Sequence, residues 1–215
     1  MKIEDMPVLI LAGGKGTRLQ EVVSDRPKPM ADINGEPFMN ILLNKYKNHN
    51  IYISVGYKKE YIMDYYKDEY KYIVEDSPLG TGGAIKKAFK EIDSDYLIVI
   101  NGDTFCDVEI PYSYNGKILL FSVFQKDCSR YGKVKTEGDK VIFTEKEDED
   151  EGYINSGVYI ISKDLFYEDE EKFSFEEKLK KTSCIDVIES NEYFIDIGVP
   201  EDYARANKYL QHLQH

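Results

Sequence analysis

A glycine-rich loop followed by two cations is the part of this sequence best suited to chemistry. Glycines stand at positions 13, 14 and 16, and Arg18 and Lys28 follow them. Glycines let backbone N–H groups approach an anion closely, because no side chain stands in the way. The arginine can grip two phosphate oxygens with its planar fork, whereas the lysine is a mobile point charge. The pattern therefore predicts a phosphate-binding loop.

Two better-known glycine motifs do not fit this loop. The Walker A motif needs Gly-Lys followed by Ser or Thr, and the chain has no such sequence. The dinucleotide-binding fingerprint needs a third glycine at the position that Leu19 occupies. A plain strand-to-helix turn would leave the clustered cations and the proline-flanked Lys28 unexplained. The sequence thus disfavours a nicotinamide oxidoreductase and favours a phosphate loop of another kind.

Two aspartates are candidate ligands for Mg²⁺. Asp103 follows Gly102 after an apolar run, and Asp196 lies within the mostly apolar run 193–198. A hard divalent ion prefers carboxylate and phosphate oxygens, so few protein ligands suffice when a nucleotide supplies the others. Burying an unpaired carboxylate is costly, so Asp196 is expected to have a cation or metal beside it. The alternatives are that Asp103 caps a turn and that Asp196 faces water on an edge strand.

These side chains need a scaffold that brings them together. Apolar stretches alternate with amphipathic stretches from residue 8 to residue 99, as in successive β–α units. The predicted strands are 8–11, 51–55, 72–75, 96–101, 117–125, 132–136, 140–145 and 157–162, and the predicted helices are 37–48, 58–65 and 82–92. This order predicts an α/β fold with a Rossmann-like, mixed but mostly parallel twisted sheet flanked by helices. Open sheets of this class bind ligands at the carboxyl ends of their strands, where the loop and Asp103 fall.

Length and composition predict a cytoplasmic enzyme of one domain. The chain has 215 residues, which suit a single domain over 1–215, and no hexapeptide repeat indicates an added β-helix domain. Its net charge of −12 argues against nucleic acid or an anionic membrane as a partner. Three widely spaced cysteines without a Cys-x-x-Cys pair indicate a reducing compartment. No apolar run approaches the length of a membrane span.

The glycine loop and the Pro-Lys-Pro sequence at 27–29 resemble the signature of the sugar-1-phosphate nucleotidyltransferases. The matching pattern is Leu-Ala-Gly-Gly-x-Gly-Thr-Arg-Leu over residues 11–19. The resemblance implies that the loop wraps the triphosphate of a nucleotide, that Arg18 and Lys28 are catalytic, and that Asp103 and Asp196 bind Mg²⁺. It further implies nucleotide contacts by Leu11, Ala12, Gly13, Gly14, Gly16, Thr17 and Gly102. A departure is Lys15, where relatives often carry a small or apolar residue.

Residues 75–84 resemble the base-recognition loop of the same family, which implies nucleotide contacts by Glu75, Gly80 and Thr81. The guanine edge offers two adjacent hydrogen-bond donors, which one carboxylate can accept together. Uracil and thymine offer one donor flanked by acceptors. Glu75 therefore favours GTP over UTP or dTTP. In an alternative interpretation, Thr81 is a helix N-cap and the glycines serve packing.

The acceptor side carries a second set of resemblances. Phe143-Thr144-Glu145-Lys146 is similar to the family's Glu-Lys pair, which implies that Lys146 binds the acceptor phosphate and that Glu145 lies near sugar hydroxyls. Gly132 and Asn155 match neighbouring sugar-contact positions. Ser156 departs from the more usual alanine or glycine. These positions predict a sugar 1-phosphate as the second substrate.

Nearly the whole chain resembles the family branch that transfers GMP to D-glycero-α-D-manno-heptose 1-phosphate, most clearly over 22–30, 101–105 and 194–203. This implies GDP-heptose for surface polysaccharide, such as capsule, S-layer glycan or lipopolysaccharide. Mannose 1-phosphate stays an alternative acceptor, because the two sugars differ by one hydroxymethyl carbon. A non-catalytic sensor is disfavoured, since the chain keeps both carboxylates and both cations. A homodimer is compatible with this interpretation.

Overall fold

The structure is a computed structural model in which residues 2–16, 23, 25–138, 140–144, 151–167 and 169–209 are described. In chain order the strands are β1 (Val8–Leu11), β2 (Asp32–Ile33), β3 (Glu36–Pro37), β4 (Ile51–Val55), β5 (Lys71–Val74), β6 (Tyr96–Asn101), β7 (Thr104–Cys106), β8 (Ile118–Gln125), β9 (Val134–Glu137), β10 (Lys140–Phe143), β11 (Gly152–Ser162), β12 (Ile185–Ser190) and β13 (Phe194–Asp196). The α-helices are α1 (Phe38–Lys45), α2 (Lys59–Tyr66), α3 (Gly80–Glu91), α4 (Phe175–Lys181) and α5 (Pro200–Tyr209). Among these helices, none has the length and apolar character needed to cross a membrane.

Seven strands form the main sheet, in the order β12-β8-β11-β6-β1-β4-β5. β11 runs antiparallel to its neighbours β6 and β8, and the other neighbouring pairs are parallel. This confirms the predicted mixed, mostly parallel sheet. Leu11 pairs with Ser54 on one side and with Asn101 on the other. The carboxyl ends of β4, β1 and β6 therefore lie side by side.

Helices cover both faces of the sheet. Val8 and Ile10 belong to the hydrophobic cluster that includes α1 and α2, whereas Leu9 belongs to the cluster of α3 and α4. All three side chains are fully buried. Such burial on both faces is typical of central strands in parallel sheets, which read as continuous apolar runs. The buried strand fixes where the glycine loop begins.

The structure extends two predicted elements and adds seven strands and helices. α3 begins at Gly80, and β11 begins at Gly152, because the strand continues through an irregularity between Asn155 and Tyr159 where the register against β8 shifts. The added elements are β2, β3, β7, β12, β13, α4 and α5. α4 has seven residues and the buried residues of α5 are Asp202 and Ala206, so neither shows a long apolar stripe. A separate two-stranded sheet pairs β13 with β7 and places Asp196 opposite Thr104.

Candidate active site

A cavity of about 700 Å³ opens at the carboxyl ends of β1 and β6. The glycine loop, the segment after β5 and the first turn of α3 form its walls. These elements meet there because β4, β1 and β6 end at the same edge of the sheet. The predicted site residues that line the cavity are Leu11, Ala12, Gly13, Gly14, Gly16, Lys28, Glu75, Gly80, Thr81 and Asp103.

The glycine loop is fixed by close contacts with its neighbours. The amide of Ala12 donates to the Ser54 carbonyl over 2.9 Å, and the Gly13 carbonyl accepts from the Tyr57 amide over 3.1 Å. A Cβ on Gly13 would overlap Oε1 of Glu75. Gly16 has a φ of +57° and lies against the side chain of Lys28, where a Cβ would come within 2.9 Å of the lysine Cβ. Glycine is therefore required at position 16 by its positive φ and by Lys28, whereas a side chain at position 13 would displace the carboxylate of Glu75.

Lys28 lies between the two predicted metal ligands. Its Nζ is 2.5 Å from Oδ2 of Asp103 and 3.4 Å from Oδ1 of Asp196. The lysine is buried, Asp196 is nearly so, and the Asp103 side chain is 36% exposed toward the cavity. Gly198 allows this arrangement, since a Cβ there would lie 2.8 Å from Asp196 and 3.1 Å from the lysine Nζ. The cation expected beside Asp196 is thus Lys28.

Burial disfavours the ionised form of the Asp196 carboxyl. Burial raises the pKa of its carboxyl above the ordinary value, Lys28 opposes that shift, and the negative charge of Asp103 reinforces it. A second cation stands behind the carboxylate, because Nη2 of Arg130 is 3.9 Å from Oδ2 of Asp196. Arg130 also pairs with the buried Asp202, which is 3.2 Å from Arg205. Asp196 therefore lies between two cationic side chains, Lys28 and Arg130, that come from separate segments of the chain.

The two carboxylates fit an oxygen-liganded divalent cation. Oxygens of Asp103 and Asp196 converge on one point, which the ammonium of Lys28 marks. Among the described residues, no third histidine, cysteine or acidic side chain joins them. Phosphate oxygens and water would have to complete the ligand set, as is common for Mg²⁺. The donor chemistry therefore suits Mg²⁺ bound together with a phosphate-bearing ligand.

Glu75 connects β4, the segment before α3 and the glycine loop. Its Oε1 accepts from the Ser54 hydroxyl over 3.0 Å, and its Oε2 accepts from the Leu79 amide over 3.2 Å. It also lies directly against Gly13. A carboxylate offers about four lone-pair sites, so each oxygen keeps capacity for a base donor. Glu75 therefore supports the loop and can still contact a nucleobase.

Thr81 is not the N-cap of α3. Leu79 holds that position, without a side-chain cap. The Thr81 hydroxyl instead donates to Oε2 of Glu176 over 2.9 Å and accepts from the amide of Phe175 over 2.9 Å. The motif's glycines serve close packing, because a Cβ on Gly82 would overlap the ring of Phe173. This part of the motif therefore holds the segment that leads into α4.

Replacing Gly80 with alanine is expected to destabilise the protein by about 2–4 kcal/mol. Gly80 has a φ of +74°, and a Cβ would lie 2.5 Å from the backbone carbonyl oxygen of Phe173. Both the left-handed backbone and the backbone clash oppose the substitution. Gly35→Ala is a matched control, because Gly35 has a φ of +94° but no atom within 4 Å of its Cβ position. Urea unfolding should show the larger loss for Gly80→Ala, and equal losses would contradict a tight contact with Phe173.

The remaining predicted residues either are not among those that line the cavity or lie outside the described chain. Gly102 closes the contact between β6 and β1, since its amide donates to the Leu11 carbonyl over 2.9 Å and a Cβ would approach that oxygen to 2.6 Å. Asn155 donates to the Tyr159 hydroxyl over 2.6 Å. A Cβ on Gly132 would lie 2.5 Å from the Thr144 carbonyl oxygen. The predicted site residues outside the described chain are Thr17, Arg18, Glu145 and Lys146.

Three polar residues near the site are not among the sequence predictions: Arg130, Asp202 and Glu176. Arg130 lies two residues before Gly132, a predicted sugar-contact position, but the resemblance gave no reason to select it. Glu176 follows Ser174, which is the N-cap of α4 and accepts from the Glu177 amide over 3.3 Å. The Ser-x-x-Glu spacing at 174–177 is a capping-box pattern that could have indicated this helix. Nothing local in the sequence indicates that Asp202 is buried.

Comparison with known proteins gives a consistent result. The sequence matches the nucleotidyl transferase family over residues 7–212. It is 44% identical to the D-glycero-alpha-D-manno-heptose 1-phosphate guanylyltransferase of Campylobacter jejuni, over 92% of this chain and 97% of that protein. The enzyme of the same name from Aneurinibacillus thermoaerophilus is 41% identical, over 96% and 99% of the two chains. The crystal structure of HddC from Yersinia pseudotuberculosis complexed with GMP-PN superposes with a TM-score of 0.86 at 39% identity, covering 96% of this chain and all of that one.

Proposed function

The chain belongs to the nucleotidyl transferase family, and from that premise we propose that it transfers GMP from GTP to D-glycero-α-D-manno-heptose 1-phosphate. The products are GDP-heptose and pyrophosphate. The two relatives above carry this guanylyltransferase activity in their names. The neighbouring structure complexed with GMP-PN supports a guanine nucleotide as the ligand of the cavity.

The observation that carries the proposal is the arrangement of charge in the cavity. The loop from Gly13 to Gly16 and Lys28 form one wall, and Asp103 lies on the same wall. Glu75 lies across the loop from these groups, against Gly13. A nucleoside triphosphate has the matching order of groups, with anionic phosphates at one end and hydrogen-bond donors on a guanine base at the other.

In the proposed reaction an oxygen of the sugar 1-phosphate attacks the α-phosphorus of GTP in line. The bond from that phosphorus to the oxygen bridging to the β-phosphorus breaks, and pyrophosphate leaves with the bonding electrons. The attacking oxygen is already anionic, so no residue has to remove a proton from it. Backbone N–H groups of the glycine loop bind the triphosphate, and Lys28 and Arg18 stabilise the negative charge that develops on pyrophosphate. No covalent enzyme intermediate is required.

We assign Mg²⁺ as the cofactor, with Asp103 and Asp196 as the residues that would hold it. When bound, such an ion neutralises phosphate charge in the transition state. The support is the convergence of both carboxylates on the Lys28 ammonium. We also place the reaction in the cytoplasm and its product in surface polysaccharide synthesis. Cys106, Cys128 and Cys184 form no disulfide in the described chain, which is consistent with a reducing compartment.

The proposed function is tested by pyrophosphate release in the presence of Mg²⁺. GTP, UTP, CTP, ATP and dTTP are each paired with heptose 1-phosphate and with mannose 1-phosphate. Release with GTP and heptose 1-phosphate is expected. A preference for mannose 1-phosphate would keep the chemistry and overturn the acceptor, and no release from folded protein with any pair would contradict the proposal.

Glu75→Gln is expected to raise KM for GTP by about 10- to 100-fold, because hydrogen bonds to a charged acceptor contribute about 1.5–3 kcal/mol. Glutamine keeps the size of the side chain but replaces one acceptor oxygen with a donor. Inosine triphosphate lacks the 2-amino donor, so the variant should discriminate less than the wild type between GTP and inosine triphosphate. Glu60→Gln on the exposed face of α2 controls for the charge change. An unchanged KM for GTP would contradict base recognition by Glu75.

A further inference from the structure

Glu176 is an acidic side chain on the cavity wall that the proposed chemistry does not use. It lies in the first turn of α4, on the wall that Gly80 and Thr81 also form. The residue is exposed, and it is one of the residues that line the cavity. Among the described residues it is held by hydroxyl groups rather than by a cation. A carboxylate on this wall with acceptor sites left over suits a ligand with hydrogen-bond donors.

Two elements fix the position of this carboxylate. Its Oε2 accepts from the Ser174 hydroxyl over 2.7 Å and from the Thr81 hydroxyl over 2.9 Å. Thr81 is held in turn by the Phe175 amide, which donates to its hydroxyl oxygen. The amide of Gly82 donates to the Phe173 carbonyl over 3.1 Å and ties the same segment to α3. The carboxylate is therefore preorganised, with acceptor capacity left for a ligand.

Glu176 also stands close to a residue pair on the acceptor side. Burial raises the pKa of Tyr159, and the charge of Glu176 raises it further. The hydroxyl of Tyr159 accepts from Nδ2 of Asn155, a predicted sugar-contact residue. Glu176 is therefore bonded to Thr81, and the residue before it, Phe175, packs edge-on against Tyr159 with 5.1 Å between the ring centroids.

We propose that Glu176 is a substrate-binding residue that accepts hydrogen bonds from neighbouring hydroxyl groups of a bound sugar. The sugar is the ribose of GTP or the acceptor sugar 1-phosphate, because both present such hydroxyls and both enter this cavity under the proposed function, on which this inference rests. Phosphate is excluded as its ligand by like charge. The carboxylate so placed also keeps the phosphates on the side of Lys28.

The test compares Glu176→Gln and Glu176→Ala with the wild type. Glutamine keeps an oxygen that can accept from Thr81 and Ser174 but removes the charge, and alanine removes the acceptor. Glu177→Gln is the matched control, because Glu177 is the next residue of the same helix, is exposed and pairs with Lys180 over 3.2 Å. GTP binding is measured by calorimetry, and KM for GTP and for the sugar 1-phosphate is measured by pyrophosphate release. Thermal unfolding checks that each variant is folded.

Weaker binding of GTP by about 10- to 100-fold in Glu176→Gln, with a smaller loss for 2′- or 3′-deoxy GTP, identifies the ribose. Unchanged GTP binding with a similar rise in KM for the sugar 1-phosphate identifies the acceptor. If both quantities change less than about twofold in Glu176→Ala, the proposal is overturned. If the wild type binds GTP but turns over no sugar 1-phosphate, the proposed function fails, and unchanged GTP binding by the variants then overturns this inference as well.

Discussion

Replacing Lys28 with methionine is expected to lower turnover by about 10²- to 10³-fold, the range found when electrostatic stabilisers are removed from active sites. Methionine keeps the length and apolar stem of the side chain, so its contact with Gly16 is retained. It removes the charge that lies against both Asp103 and Asp196. The loss should appear in kcat rather than in KM for GTP, because the charge on pyrophosphate develops in the transition state.

The same variant should bind a divalent cation more tightly when no nucleotide is present. In the structure the ammonium of Lys28 lies where the two carboxylates converge, so a metal must displace it. We therefore expect Mn²⁺ titrated into Lys28→Met, followed by electron paramagnetic resonance, to bind more tightly than in the wild type. Lys87→Met is the control, since Lys87 pairs with Glu91 on the surface of α3. Unchanged turnover would contradict the role of Lys28 in stabilising the transition state. Unchanged Mn²⁺ affinity would contradict its competition with a metal for the two carboxylates.

Asp196→Asn is expected to have opposite effects on activity and stability. Turnover should fall by at least about 10²-fold, because one of two carboxylates for the metal is lost. Without metal, the variant should be more stable than the wild type at neutral pH. The pKa of Asp196 is raised in the folded protein, chiefly by burial. Its ionised form therefore opposes folding, and asparagine removes that cost.

The sign of the pH dependence follows from the direction of that shift. A carboxyl with a raised pKa in the folded state destabilises the protein above that pKa and ceases to do so as it becomes protonated. The advantage of Asp196→Asn should thus be full at neutral pH and vanish as the pH falls toward about 4, the ordinary carboxyl range. The stability difference between Asp196→Asn and the wild type is measured by urea unfolding in the presence of a chelator, from neutral pH down to about pH 4. Asp107→Asn is the control at an exposed carboxylate. A less stable variant at neutral pH would show that Asp196 is a net stabilising partner of Lys28.

The parts of the site that the sequence predicted are local in the chain. The strand Val8–Leu11 and the glycine loop after it depend on a buried apolar run and on backbone freedom at Gly16, and both are properties of consecutive residues. The mostly parallel sheet followed from the alternation of apolar and amphipathic stretches. Residues 75–84 were identified, and packing was one interpretation of their glycines. The segment before α4, against which these glycines and Thr81 pack, could not be inferred from the sequence.

The tertiary structure decided which distant residues meet. Asp196 is 168 residues from Lys28, and it reaches that lysine because β13 pairs with β7 immediately after Asp103. Glu176 reaches the cavity through contacts with Thr81, 95 residues away. The residue pattern of a strand or loop shows which chemical groups that segment carries. Which segments come into contact depends on the order of strands in the sheet and on how side chains pack. The sequence by itself therefore determined the chemical groups of this protein, and only the packing of its strands and helices decided that a lysine and two aspartates share one point.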